Sequence, residues 1–550
     1  MLQGVFCLLD GRSATVWNAT NVEVIAMRLG LTATEFLDLA KEYSMVPVWA
    51  EFMADLETPM SVVSRLSPCD CLFILESAEQ GMKVGRYSFV CFHPLMIFES
   101  TGNSCLVVEG TRSARTIADD PLAVLEDVMA AYRSPRIDGL PPLLGGCVGY
   151  VGYDYVRLIE TLPDYSEPSK FPEITMAVPR YVLAFDHLRH TLTAVVNCQI
   201  GSHASEDQYE AAVNELANLV SHLGLNAAAV RSTEDAPSGA FNSRIFETYQ
   251  RLRRTNPGIR CASRSLVDGE VLADRPSFEQ SVRNAKHYIA AGDVLQVVLS
   301  RRVVVPVRSS ALAVYRALRY VNPSPYMFLL DFGHMQVVGA SPEMLVRLNG
   351  RDVEVRPIAG TRRRGSTAEE DGRLENELLT DAKERAEHAM LVELSKDDLG
   401  RVCVPGTVRV EEEMHVERYS HVMHMVSSVK GELAPMFDQY DLFRATFPAG
   451  TVTGAPRLRA MEIIEEQERT RRGIYAGAVG YFGASGNMDM CIAIRTLVMA
   501  DGLAQVQVGA GIVAQSDPAR EYEETVEKAQ AINRALQLAA DLELQRTSSE

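Results

Sequence analysis

VGAGIVAQSDPAREYEET, residues 508–525, passes from a β-rich run through closely spaced glycines and the Ser516-Asp517-Pro518 punctuation into a long helical pattern, EYEETVEKAQAINRALQLAADLEL. Pro just inside a helix start costs little, because the first-turn N–H groups have no intrahelical acceptor. Glu521 and Glu524 stand at i and i+3, which puts both carboxylates on one helix face. A second helical segment, KERAEH, offers Glu384 and Glu387 at the same spacing. Two such faces could clamp a hard cation: Mg²⁺ prefers oxygen ligands, keeps several waters, and takes one or two protein carboxylates plus an anionic group of its substrate. By itself the spacing is weak evidence, since Glu462 with Glu465 and Glu465 with Glu468 repeat it in a helix that reads as solvated.

Working outward, FEQSVRNAKHYIAAGDVLQVVLSRRVVV reads as helix, Gly-Asp turn and buried strand, and comparable units follow it. Nearer the N-terminus, short β-rich runs (LFILES, RYSFVCF, YVLAFD, TAVVNC) alternate with amphipathic helical stretches such as PLAVLEDVMAAYR and DQYEAAVNELANLVSHLG. The organisation expected is an extension over 1–45, a mixed region over 46–225, a small polar linker over 226–243 and a second region over 244–550. No internal repeat of 20 to 50 residues is visible.

Composition narrows the function classes. The chain of 550 residues is 47% hydrophobic and 23% charged, the profile of a globular protein. Its formal charge of −18 repels nucleic acid and anionic membranes, so neither is an expected partner and a small anionic substrate needs a local basic site. Ten cysteines lack a C-x-x-C pair, and Cys69 with Cys71 has no second pair to complete a zinc site, so free thiols in a reducing cytoplasm are expected. The N-terminus has no basic residue ahead of its short apolar run, and no uncharged apolar run is long enough to span a membrane.

Three glycine-bearing segments read as turns after β-rich runs: PIAGTRRRG from Pro357, AGTVTGAP from Ala449 and VGAGIVAQSDP from Val508. Each lets backbone N–H groups approach an anion, with Thr361 or Thr451 adding a hydroxyl, although a plain tight turn is the simpler account of any one. None has the spacing of a phosphate or dinucleotide loop. Arg495, inside the apolar run MCIAIRTLVM, demands a partner, and both a buried ion pair and an anionic ligand answer that demand. His421 and His424 are at i and i+3 with no further ligand nearby, so a hydrogen-bonded core histidine is the default.

Taken together, SPYMF, GASPE, PIAGTRRRG, KERAEHAMLVEL, ERYSHVMHMVSSVKGEL, GTVTGAPRLRAMEII, GIYAGAVGYF, CIAIRT and VGAGIVAQSDPAREYEET resemble the chorismate-utilising enzymes, and within them the large subunit (component I) of anthranilate synthase. The match runs from about Val46 to about Leu538. The resemblance implies an α+β fold of two orthogonally packed β-sheets flanked by helices, in four α/β/β/α layers. It implies a cytoplasmic lyase that converts chorismate and ammonia to anthranilate and pyruvate in tryptophan biosynthesis.

Carried over position by position, the family's Mg²⁺ ligands fall on Glu387 and Glu524, with Glu384 and Glu521 behind them. Its chorismate contacts fall on Gly360, Thr361, Tyr475, Arg495, Gly509, Ala510 and Gly511. Glu343 matches the acid that protonates the departing ring hydroxyl, while His424 and Thr451 match residues of the pyruvate-eliminating step. Glu76 and Ser77, with Pro325, Tyr326 and Met327, match a tryptophan feedback site, so L-tryptophan is an expected inhibitor. Relatives that use water carry a lysine where this chain has Gln296, and aminodeoxychorismate synthases typically carry a lysine where it has Ala359. Both differences favour ammonia and anthranilate. The chain shows no amidotransferase module, so glutamine-derived ammonia implies a separate small subunit and a hetero-oligomer. Lys396, Asp397 and Asp398 depart from the family's Arg-Asn-Asp. The alternatives are an aminodeoxychorismate or aminodeoxyisochorismate synthase, which stops before elimination, and a non-catalytic tryptophan-sensing homologue.

Overall fold

The computed structural model describes residues 6–9, 13–16, 25–66, 72–77, 85–201, 203–225, 244–255, 271–272, 274–418 and 422–547. The linker expected at 226–243 lies outside the described residues, as do Cys69, Cys71 and His421.

Two long strands organise the molecule. Tyr87–Thr101 and Ile174–Asp186 pair antiparallel along nearly their whole length, with a register shift between Val178 and Pro179. Proline has no N–H to give a ladder, and a bulge is one of the few places in a sheet interior that tolerates it. On one side of the bulge the pair is flanked by Thr191–Gln199 and Phe73–Glu76. On the other its neighbours are Gly146–Val151 and Ser104–Glu109. The two strands thus pass from one sheet into a second.

From Phe73–Glu76 the first sheet continues through Tyr326–Asp331, Gln336–Ser341, Thr496–Ala500 and Leu503–Ile512 to Gln296–Pro306. From Gly146–Val151 the second continues through Ala478–Gly483, Met488–Ile492, Met344–Asn349 and Asp352–Val355 to Val422–Glu432. Ile358–Arg363 and Arg409–Arg418 complete that edge. Each sheet therefore mixes strands from both sides of residues 226–243.

Period-2 alternation sorts the side chains. Val148, Tyr150, Val479 and Tyr481 of the second sheet join a core with Phe89, Phe328 and Val338 of the first. Their neighbours Cys147, Val151, Ala478 and Phe482 pack instead with Leu122, Leu125, Tyr440 and Phe443 of helices. The result is the expected α+β arrangement of sheet against sheet with helices outside. No helix of the described residues is long and apolar enough to cross a membrane.

Two of the three segments read as turns are strands: PIAGTRR lies largely in Ile358–Arg363 and VGAGI ends Leu503–Ile512. The glycines serve these strands in place. Gly360 has φ +69° at a bulge between Ala359 and Thr361, a conformation that favours glycine. The third segment contains a single helical turn, Gly450–Thr453.

Candidate active site

The glycine run sits at the centre of the site. Gly509, Ala510 and Gly511 pair with Ser300, Leu299 and Val298. A Cβ on Gly509 would stand 2.5 Å from the Tyr475 hydroxyl, so only glycine lets the phenol close on the backbone. Tyr475 is buried, which pushes its pKa up to about 12 against the pull of Arg472, so the phenol remains a neutral donor. Arg472, 1% exposed, pairs with Glu468 at 2.7 Å and lies 5.5 Å from the Tyr475 ring centroid. It also donates to the carbonyls of Val452 and Val298, each at 2.7 Å, which ties the tyrosine to the Thr451 turn and to the Gln296–Pro306 strand. The Gln296 amide lies against Gly511.

Arg495 differs from Arg472 in every respect that matters. Its backbone has φ +51°, rare for a residue with a side chain. Among the described residues its guanidinium makes no hydrogen bond and no ion pair. Burial lowers its pKa, and Glu524 and Tyr475 oppose that only through space. The buried ion pair left open by the sequence is therefore not what the fold provides, and an unpaired cation held this way favours an anion that arrives from outside.

Around it stand the acid and the imidazole. Glu343 is buried, and burial raises its carboxyl pKa to about 8 against the neighbouring Thr451 hydroxyl and the Lys528 ammonium. Thr451 Oγ1 is itself buried without a well-formed hydrogen bond. His424 lies opposite Thr361 in the ladder, with Nδ1 2.9 Å from Thr361 Oγ1 and 3.3 Å from the Gly360 carbonyl. Burial, helped by the charge of Arg495, lowers its pKa to about 4, so the ring is neutral at physiological pH.

The two acidic helix faces complete the site. Glu384 and Glu387 lie in helix Ala382–Gly400, and Glu521 and Glu524 in helix Pro518–Thr547. Asp517 starts the second helix by accepting from the N–H groups of Ala519 and Arg520. Glu384 accepts from Arg362 at 3.2 Å and packs where a Gly360 side chain would be. Burial raises the pKa of both Glu387 and Glu521. Lys383 lies 3.6 Å from Glu387, and its charge also lowers the pKa of Glu521 through space. Among the described residues no three metal-ligating side chains converge closely enough to form a cage. Two pairs of hard oxygen donors, two of them held at raised pKa by burial, nevertheless suit a cation that keeps most of its water.

The proposed feedback residues also come together. Glu76 is the ladder partner of Met327 and accepts from Tyr315 at 2.8 Å and Arg319 at 2.6 Å. Tyr326 donates to Asp489 at 2.9 Å, and Pro325 precedes it in the buried chain. The Ser77 hydroxyl is buried without a partner.

Sequence reasoning missed three residues. Lys528 pairs with Glu524 at 2.7 Å and donates to the Gly509 carbonyl at 2.9 Å, joining the acidic helix to the glycine strand. Its i+4 spacing from Glu524 was the available signal. Lys383, four residues before Glu387, carried the same signal, as did Arg472, four after Glu468. The helix read as solvated is not: Glu465 is 6% exposed, paired with Arg157 and bonded to the Ser166 N–H at 2.9 Å. Partners remote in sequence bury it.

The chorismate binding enzyme family model matches residues 71–534. The chain belongs to that family. Among similar proteins, anthranilate synthase component 1 of Acetivibrio thermocellus is 41% identical over 514 residues, covering 93% of this chain and 99% of the relative. The protein of the same name from Aquifex aeolicus is 42% identical over 517 residues, covering 94% and 99%. Among solved structures, anthranilate synthase component I from Streptococcus pneumoniae superposes with a TM-score of 0.66 at 32% identity, covering 88% of this chain and 98% of that one.

Proposed function

We propose that this chain is the chorismate-converting component of an anthranilate synthase, forming anthranilate and pyruvate from chorismate and ammonia in tryptophan biosynthesis. The observation that carries the reading is the end-to-end likeness to proteins of that name, at 41% and 42% identity. The site's chemistry agrees with it. Chorismate brings two carboxylates, and Arg495, with no internal partner, the Tyr475 hydroxyl and the Gly509–Gly511 backbone receive one of them. The second carboxylate falls to the Mg²⁺ that Glu387 and Glu524 would hold, with Glu384 and Glu521 behind. When bound, that ion supplies charge neutralisation and withdraws electron density from the ring.

Ammonia forms a bond to the ring carbon beside the carboxylate-bearing one, and the ring C–O bond breaks. Glu343, held protonated by burial, delivers the proton with which the hydroxyl leaves as water. The ring bond to the enolpyruvyl oxygen then breaks, the amine-bearing ring carbon loses its proton, the departing group takes up a proton to become pyruvate, and the ring becomes aromatic, with the neutral His424 and Thr451 alongside. Gln296, not an amine base, stands where water would need activation. The separate small subunit is a glutamine amidotransferase. L-tryptophan bound at Glu76, Ser77 and Pro325–Met327 biases how the first sheet's strands from two far-apart segments sit together.

The test is turnover of chorismate by the purified chain with Mg²⁺ and an ammonium salt at mildly alkaline pH, followed by anthranilate fluorescence and mass. Anthranilate plus pyruvate is expected, lost on chelation. Accumulation of an amino-chorismate would favour the aminodeoxychorismate-type alternatives and remove the elimination roles of His424 and Thr451. Independent binding of Mg²⁺ by calorimetry is expected to weaken about tenfold or more in Glu387→Gln.

A further inference from the structure

A cavity of about 410 Å³ is lined by Ser281, Ser300, Arg301, Arg302, Arg469 and Thr470 among others, and by none of the candidate catalytic residues. Its position follows from strand pairing. Leu503–Ile512 covers one edge of Gln296–Pro306 along its length. The other edge is covered only at Gln296–Val297 by Gly454–Ala455 and at Arg302–Val303 by Val271–Leu272. Between them no strand pairs with this edge among the described residues; side chains meet it instead, Arg472 at the Val298 carbonyl and Glu468 at the Ser300 N–H, and Ser300, Arg301 and Arg302 all line the one cavity.

Three of the lining side chains, Arg301, Arg302 and Arg469, are arginines without a salt bridge among the described residues, and the first two are held by hydrogen bonds. Arg301, 6% exposed, donates Nε to Thr525 Oγ1 at 2.7 Å and lies 4.7 Å from the Tyr522 ring centroid. Arg302 donates to the Arg471 carbonyl and, at 3.4 and 3.3 Å, to Gln507 Oε1. The carboxylates that line the cavity are committed elsewhere: Glu468 to Arg472 at 2.7 Å and the Ser300 N–H at 2.8 Å, and Asp274 to the Ser277 N–H at 3.0 Å. Gln507 in turn donates to Ser300 Oγ at 2.8 Å, and Ser300 donates to Glu468 at 2.8 Å, so Arg302 is fixed by a continuous network. A buried guanidinium and a half-buried one, held by neutral acceptors at the wall of a hydroxyl-rich cavity and reached by Glu523, Asp154 and Glu468 only through space, can accept an anion from outside.

We propose that this cavity is a second anion-binding site, separate from the Arg495 pocket, which takes a small molecule bearing a phosphate or carboxylate group on Arg301 and Arg302. It stands independently of the reaction assigned above.

The experiment is calorimetric titration of the full chain with inorganic phosphate and with succinate, at matched ionic strength in chloride, on an Arg495→Met background that removes anion binding at the other pocket. Saturable binding of either anion is expected, weakened about tenfold or more by Arg302→Met and by Arg301→Met. Ser281→Phe fills the cavity from the neighbouring helix, leaves both arginines in place, and is expected to abolish binding. Tighter binding of phosphate or of succinate identifies which oxyanion the site takes. No saturable binding beyond chloride overturns the proposal, as does binding that neither arginine variant nor Ser281→Phe changes.

Discussion

Two buried polar regions, each assembled from distant segments, treat their charges in opposite ways. Around Tyr326 the groups are matched: Arg347 meets Asp489 at 2.9 Å and the Tyr326 hydroxyl at 3.1 Å, and Glu76 accepts from both Tyr315 and Arg319. In the pocket at Gly509–Gly511, Arg495 has no partner and Glu343 is held protonated. Matched groups serve the fold, whereas unmatched ones are positions where a ligand or a reaction intermediate supplies what is missing. In that first region the Ser77 hydroxyl and Arg319 Nε are exceptions, each buried without a partner, and Ser77 is one of the residues of the tryptophan reading.

The largest effect expected from breaking that contrast is at Glu343. Glu343→Gln removes the acid and should lower kcat by about 10²- to 10⁴-fold. In the parent, the rate at a fixed concentration of free ammonia should fall as pH rises through about 8, where the carboxyl loses its proton. Stability carries the same signature. Because the folded pKa is raised, the folded chain binds more protons than the unfolded one, so this contribution is complete below the ordinary carboxyl range and lost as pH rises through about 8. The melting temperature of Glu343→Gln relative to the parent should therefore increase from pH 5 to pH 9. A constant difference across that range would mean that burial does not hold the acid protonated.

The arginines sharpen the comparison directly. Arg347→Met strands Asp489 and Tyr326 and should cost about 3 kcal/mol in denaturant melts. Arg495→Met strands nothing, so its fold should be as stable as the parent's or more so, while the KM for chorismate rises about 100-fold, equivalent to about 2.7 kcal/mol. Equal destabilisation by both would show that Arg495 has an internal partner after all.

Much of this was legible from the chain, for identifiable reasons. The i, i+3 glutamates are local, so helical periodicity alone set them on a common face, and the long C-terminal helix followed from its Ser-Asp-Pro start. Their meaning came only with the ordered motifs around them. What local pattern could not reveal was non-local. PIAGT and VGAGI read as turns because glycine signals a turn, yet ladder partners remote in sequence hold both as strands. Glu465 looked solvated because Arg157 and Ser166 lie about 300 positions away. For the same reason an isolated arginine in an apolar run gave no answer between ion pair and ligand until the surroundings of Arg495 were in view.

The smallest expected effect concerns His424, which lies between the two cases. Its Nδ1 faces two oxygens, and the Gly360 carbonyl at 3.3 Å can only accept. The proton therefore belongs on Nδ1, a tautomer that the Thr361 hydroxyl at 2.9 Å can also accept from. Thr361→Val removes one acceptor and leaves the other, so kcat should drop only about two- to tenfold, the weight of one ordinary hydrogen bond. Ring ¹⁵N shifts of His424 should report a single neutral Nδ1–H form in parent and variant alike, titrating only near pH 4. Titration near 6.5 would remove the burial argument, and an Nε2–H form would show that Gly360 does not orient the ring. Either result would remove the neutral, Nδ1-protonated His424 from the elimination step assigned to it.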